Sequence, residues 1–157
     1  MRRKRTDMIV IHCSATPFGK EYTAADIDEM HVKKGWAGIG YAQVIQRNGL
    51  IEFGRHYDDQ GAHVKGYNGR TVGVCLIGGL KEDGSSGEEF FDTFTEDQED
   101  SLVETIKFLK LAYPHSDILG HRDLSPDLDG DGIIEEHEWL KDCPTFDVDE
   151  FIVEHEL

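Results

Sequence analysis

The stretch Met8-Ile-Val-Ile-His-Cys13 is apolar and mostly β-branched, too short for an ordinary helix and well suited to a buried strand that delivers His12 at its end. Two further runs have the same character. Val72-Gly-Val-Cys-Leu-Ile77 stops at Gly78-Gly79, and Asp117-Ile-Leu-Gly120 places His121 at the tip of a short strand. Helical signals lie between and around them. Thr23 with Asp26 three positions on is an N-cap pattern for a helix through Ile27 and Met30, stopped at Gly35, with His31 on its surface or edge. Thr95 with Gln98 opens the longest helix, whose apolar positions Leu102, Val103, Ile106 and Leu109 recur at helical spacing until Pro114. Asp147 caps a last helix through Phe151 and Ile152. Tyr41 to Gln46 and Leu50 to Phe53 flank Arg47-Asn48-Gly49, a hairpin signal with Tyr41 at the start of its first strand. The glycine-rich stretch 55–71 reads as a long ordered loop of the kind that carries function, and 81–93 as a surface excursion. Strands alternating with helices predict a single α/β domain, residues 1–157, with a central mixed β-sheet flanked by helices.

Composition narrows the function. A chain of 157 residues with 38% hydrophobic content supports one core. Its formal net charge of −16 argues against nucleic acid as a partner, because phosphate binding needs a basic surface. Only Met1 to Arg5 is basic, and this segment is expected to be a disordered, solubilising end. It lacks the apolar core of a secretory signal, and no apolar run approaches the roughly 20 residues of a membrane span. These features predict synthesis in the cytoplasm and no membrane insertion; a monomer is expected. Cys13, Cys75 and Cys143 cannot all pair with one another, so no disulfide framework is expected, and Cys13 and Cys75 read as small buried thiols.

A catalytic zinc site commonly uses three protein ligands and leaves a fourth position for water. Of eight histidines, His12 and His121 stand out because both end short apolar strands, where a sheet gathers distant residues at one rim. Cys143, in Lys141-Asp-Cys-Pro-Thr-Phe146, is the third candidate. Spacing alone leaves ordinary core or surface roles open for all three, because no local zinc-finger pattern is present.

The successive segments Ile11-His-Cys-Ser-Ala-Thr16, Gly40-Tyr41, Ala62-His-Val-Lys-Gly-Tyr-Asn68, Val72 to Gly79, Gly120-His-Arg-Asp123 and Lys141 to Phe146 together resemble the N-acetylmuramoyl-L-alanine amidases. The likeness is strongest to the phage-lysozyme type, which shares its fold with peptidoglycan recognition proteins. The resemblance implies zinc held by His12, His121 and Cys143, catalytic assistance from Tyr41 and Lys141, and a substrate groove lined by His63 and Asn68. The implied reaction is hydrolysis of the bond between N-acetylmuramic acid and L-alanine in peptidoglycan, by a phage or prophage endolysin reaching the wall with a membrane-permeabilising holin. Two alternatives are a non-catalytic peptidoglycan recognition protein and a cytoplasmic amidase recycling soluble muropeptides. Ala42, where relatives often carry histidine, and a longer stretch between His121 and Cys143 depart from the pattern.

That longer stretch has its own signature. Asp127-Leu-Asp-Gly-Asp-Gly-Ile-Ile-Glu-Glu-His-Glu138 follows the twelve-residue EF-hand loop. It predicts a structural calcium ion held by Asp127, Asp129, Asp131, the Ile133 carbonyl, Glu135 and Glu138. A short helix over 136–141 should then carry Lys141 and Cys143 toward the zinc. No incoming helix and no second hand are present, which argues against a regulatory sensor.

Overall fold

A computed structural model describes residues 1–157. Five strands form the main sheet in the order β4-β3-β5-β1-β7, where β1 is Met8–Cys13, β3 Gln43–Ile45, β4 Ile51–Phe53, β5 Thr71–Leu76 and β7 Asp117–Gly120. Only the β3–β4 hairpin pair is antiparallel, so the sheet is mixed as expected. Two-residue strands β2 (Thr16–Pro17) and β6 (Gly79–Leu80) pair separately. β1 lies between two parallel neighbours and is covered on both faces, which is why Ile9, Val10 and Ile11 form an unbroken apolar run.

Helices cover both faces. On one side α1 (Ala24–Lys33) packs Ile27 against Val44, Cys75 and Ile77. On the other, α3 (Glu96–Ala112) buries Leu102, Ile106 and Leu109, and α4 (Val148–Glu154) buries Val148 and Phe151, against Ile9, Ile11, Val72, Val74 and Leu76. Thr23 and Asp26 form a reciprocal capping box on α1, and Thr95 and Gln98 form another on α3. Gln98 also uses its amide to reach the carbonyls of Ile45 at 3.2 Å and Ile77 at 2.9 Å, joining α3 to the sheet. The excursion 81–93 contains one short helix, α2 (Phe90–Thr93).

Three local expectations change. The basic start is anchored rather than free: Arg3 donates to the carbonyls of Asp59 and Thr71 and to the Tyr113 hydroxyl, and the Gln60 N–H donates to the Met1 carbonyl. The guanidinium finds several oxygen acceptors at one place, which offsets the entropy of ordering the segment. Tyr41 precedes the hairpin strand instead of starting it, although its carbonyl still accepts from the Arg55 N–H. In place of a helix over 136–141 there is only a 3-10 turn, Glu136–Glu138. The chain leaves this turn because the Leu140 N–H bonds the Ser125 hydroxyl and Trp139 stacks on the Arg122 guanidinium, 4.0 Å from its ring centroid.

Candidate metal centre and active site

Ile11 on β1 pairs with Gly120 on β7, so the next residues, His12 and His121, emerge side by side where parallel strands end. This is the usual position of ligand sites in open α/β sheets. Their ring centroids lie 4.7 Å apart. The Asp123 carboxylate accepts the Gly120 N–H at 2.7 Å and secures the turn that presents His121. Cys143 arrives from a different part of the chain, held by the Arg122 N–H on its carbonyl at 2.8 Å. Its Sγ lies 3.8 Å from His12 Nδ1 and accepts the Cys13 N–H at 3.3 Å.

One ligand atom from each of His12, His121 and Cys143 lies within 4.8 Å of the other two. A tetrahedral zinc with bonds of about 2.0–2.3 Å separates its ligand atoms by roughly 3.3–3.8 Å, so modest closure completes the site. Protonation also fits. Burial, reinforced by His63, His121 and Lys141, holds the His12 pKa well below the ordinary value. Burial and then Lys141 lower that of His121 to about 4. Both imidazoles are therefore neutral near pH 7 and offer lone pairs to a metal.

A cavity of about 440 Å³ opens over this cluster. Tyr41 lines it with its ring 5.0 Å from that of His12. Burial, with Cys75 nearby, pushes the phenol well above its ordinary range, so it keeps its proton and can donate. Lys141 stands exposed on the rim, close enough to depress both histidines.

Of the two residues expected along the groove, His63 lines the cavity and Asn68 does not. His63 borders the cavity, but its Nδ1 is 2.8 Å from His12 Nε2 and its Nε2 is 3.1 Å from the Thr71 hydroxyl, leaving neither nitrogen for substrate. Asn68 is absent from the lining; its side-chain oxygen accepts the N–H groups of His63 and Val64 at 2.9 Å each and folds the loop. His31 is buried rather than at the surface, because its Nδ1 accepts the Gly40 N–H at 2.9 Å and its ring packs on Trp36 and Tyr41 in the cavity wall. Its place in α1 carried no signal for this. Ala15 and Thr145, both bordering the cavity, adopt positive φ angles of 53° and 78°, which no sequence pattern announced.

Residues 2–144 match the family described as N-acetylmuramoyl-L-alanine amidase. The chain belongs to this family. It is an amidase that hydrolyses the bond between the N-acetylmuramoyl group and L-alanine. The amidase is 34% identical over 156 residues to the endolysin of Enterobacteria phage K11 and 33% identical over 156 residues to that of Escherichia phage T7, covering 99% of this chain and 91% of each relative. It also resembles the solved endolysin amidase LysCS of Clostridium intestinale, with TM-score 0.72 at 27% identity, over 98% of this chain and 85% of that one. The family is zinc-dependent, and the His12, His121 and Cys143 cluster in the amidase fits such an ion.

The acidic loop is only partly gathered. Carboxylate oxygens of Asp127, Asp129 and Asp131 approach within 4.8 Å of one another, and a second exposed group joins Asp129 with Glu135 and His137. Glu138 is buried and turned to the backbone, accepting N–H groups from Leu128 at 2.6 Å, Asp129 at 3.3 Å and Glu135 at 2.9 Å. Amide donors thus engage the Glu138 carboxylate, while Asp127, Asp129 and Asp131 present a group of exposed oxygens.

Proposed function

We propose that the amidase is a phage or prophage endolysin whose zinc is held by His12, His121 and Cys143. The convergence of those three donors beneath a cavity bordered by Tyr41 and Lys141 carries this reading. When bound, zinc would supply Lewis-acid polarisation of the scissile carbonyl and an acidified water for attack. The Lys141 ammonium stabilises negative charge developing on the carbonyl oxygen. Tyr41, held protonated by burial, donates a hydrogen bond to the reacting group and assists proton transfer toward the alanine amine. The nearly full-length similarity to two phage endolysins supports intact peptidoglycan as substrate. No helix is long and apolar enough to cross a membrane; delivery to the wall by a separate membrane-permeabilising protein is part of the endolysin proposal. The amidase is proposed to act as a monomer.

A calcium ion in the loop 127–138 is the second part of this reading. Its support is the complete EF-hand spacing and the approach of Asp127, Asp129 and Asp131. A carboxylate offers about four lone-pair sites, so Glu138 can coordinate the ion while keeping its backbone donors.

Mass spectrometry of intact peptidoglycan and of purified muropeptides after incubation tests the catalytic reading, with Cys143→Ser and zinc-chelated samples as controls. Free stem peptides bearing an unmodified L-alanine amine, absent from both controls, are expected. Absence of cleavage by a zinc-loaded protein would support peptidoglycan recognition without catalysis. Preference for muropeptides over intact wall would favour a recycling enzyme.

A further inference from the structure

His63 occupies a space that the sequence keeps clear for it. A Cβ on Gly73 of β5 would stand 2.8 Å from His63 Cγ and Nδ1, and one on Gly61 would stand 2.6 Å from its Cδ2. Both contacts are closer than carbon atoms tolerate, so any side chain at either position would displace the imidazole. The backbone that carries the ring is fixed by the Asn68 side chain, which accepts the His63 backbone N–H.

One direction of hydrogen bonding satisfies every group around this ring, with the Tyr67 carbonyl taking the Thr71 proton beside the Arg70 N–H that it already accepts. The Thr71 hydroxyl has a single proton, and the Tyr67 carbonyl, which can only accept, lies 3.1 Å away and takes it. Thr71 Oγ1 is then the acceptor for His63 Nε2 at 3.1 Å, which puts the His63 proton on Nε2. His63 Nδ1 consequently holds a lone pair facing His12 Nε2 at 2.8 Å, so His12 carries its proton on Nε2. The remaining lone pair of neutral His12 is on Nδ1, the nitrogen that faces Cys143 Sγ at 3.8 Å.

We propose that Thr71 and His63 form a relay that fixes the tautomer and ring orientation of His12 and aims its Nδ1 at the metal. This inference rests on the zinc centre described above and makes His63 a positioning residue. An uncharged partner has a chemical consequence. Carboxylates often support metal-bound histidines, but Cys143 would contribute a thiolate once zinc is bound, and a neutral imidazole orients His12 without adding a second negative charge. With zinc bound, the site would keep a net charge near +1 on two imidazoles, one thiolate and a divalent ion, which would favour polarisation of the carbonyl.

Long-range proton–nitrogen NMR of the zinc-loaded protein with ¹⁵N-labelled histidine reads the tautomers directly. His12 and His63 are both expected to be protonated on Nε2; a proton on His63 Nδ1, or zinc bound through His12 Nε2, overturns the relay. Competition for zinc against a chromogenic chelator provides a second readout. His63→Leu should weaken zinc binding by about 10–100-fold. His63→Asn, whose side-chain oxygen can replace Nδ1 as acceptor, should recover most of the loss. Thr71→Val, which leaves His63 in place, should show a smaller loss in the same direction, and Thr71→Ser should match wild type. Unchanged affinity in both His63→Leu and Thr71→Val overturns the relay alone, whereas a wild-type protein that binds no zinc overturns the zinc centre as well.

Discussion

His12, His121 and Cys143 come from two strand ends and a distant loop, whereas Asp127, Asp129 and Asp131 lie within five consecutive residues. His12 and Cys143 are buried, while all three aspartates are exposed. The first cluster is prepared by the sheet: register sets two histidines side by side, and backbone bonds place the thiol against them. The second has the more complete local pattern, and its three carboxylates also approach within 4.8 Å of one another, but they do so in water, where like charges repel until a cation binds. A site assembled by tertiary packing can be formed before its ion arrives. One assembled by a short loop depends on the ion to order it.

The largest expected effects fall on the chemistry above the buried cluster. Lys141→Met should lower kcat by roughly 10²–10³-fold, as loss of an oxyanion-stabilising group does. Tyr41→Phe should lower it by about 10²–10⁴-fold if the phenol assists proton transfer. Both variants should retain one equivalent of zinc by elemental analysis. Loss of the metal together with the rate would instead make these residues part of the site's framework.

Calcium should act more weakly, through stability. At a concentration about 100 times its dissociation constant, an ion bound only to the folded state adds about 2.7 kcal/mol. Thermal melts of wild type should therefore rise with calcium, and those of Asp127→Asn should not. A calcium chelator that leaves activity and melting temperature unchanged would reduce the contrast to one metal site and one solvated loop.

The two regions meet through Arg122, whose guanidinium stacks on Trp139 and lies 3.3 Å from the Asp142 carboxylate next to Cys143. Trp139→Ala should cost about 0.5–2 kcal/mol for the lost cation–π contact. Measuring its zinc affinity with and without calcium tests the connection. An equal effect of the substitution under both conditions would show that the loop and the buried cluster are energetically independent.

The smallest effect concerns the scaffold beneath β7. His155 stacks on Phe151 of α4 and lies 2.9 Å from Glu99. Burial alone would lower its pKa, but the Phe151 carbonyl and Glu99 raise it above the ordinary value. The pair's contribution is therefore fully present below the unfolded histidine pKa of about 6.5 and disappears as pH rises through the higher folded value. Glu99→Gln should cost about 0.2–1 kcal/mol at pH 6 and almost nothing at pH 9 by denaturant titration. A parallel loss of zinc affinity at pH 6 would mean that the buried cluster depends on how α4 is held.

The sequence alone determined β1, the capped starts of α1 and α3, the hairpin and the alternation of strands and helices, because propensity, capping and turn chemistry act over a few neighbouring residues. It also singled out His12, His121 and Cys143 as candidates through position and ordered family-like motifs. Their approach was decided by tertiary structure, since sheet register joins residues that no local spacing connects. So were the inward turn of Asn68, the occupied nitrogens of His63, the burial of His31 and the anchoring of Arg3. Each depends on which donor or acceptor a distant segment brings within hydrogen-bonding distance, and only the folded chain supplies that partner.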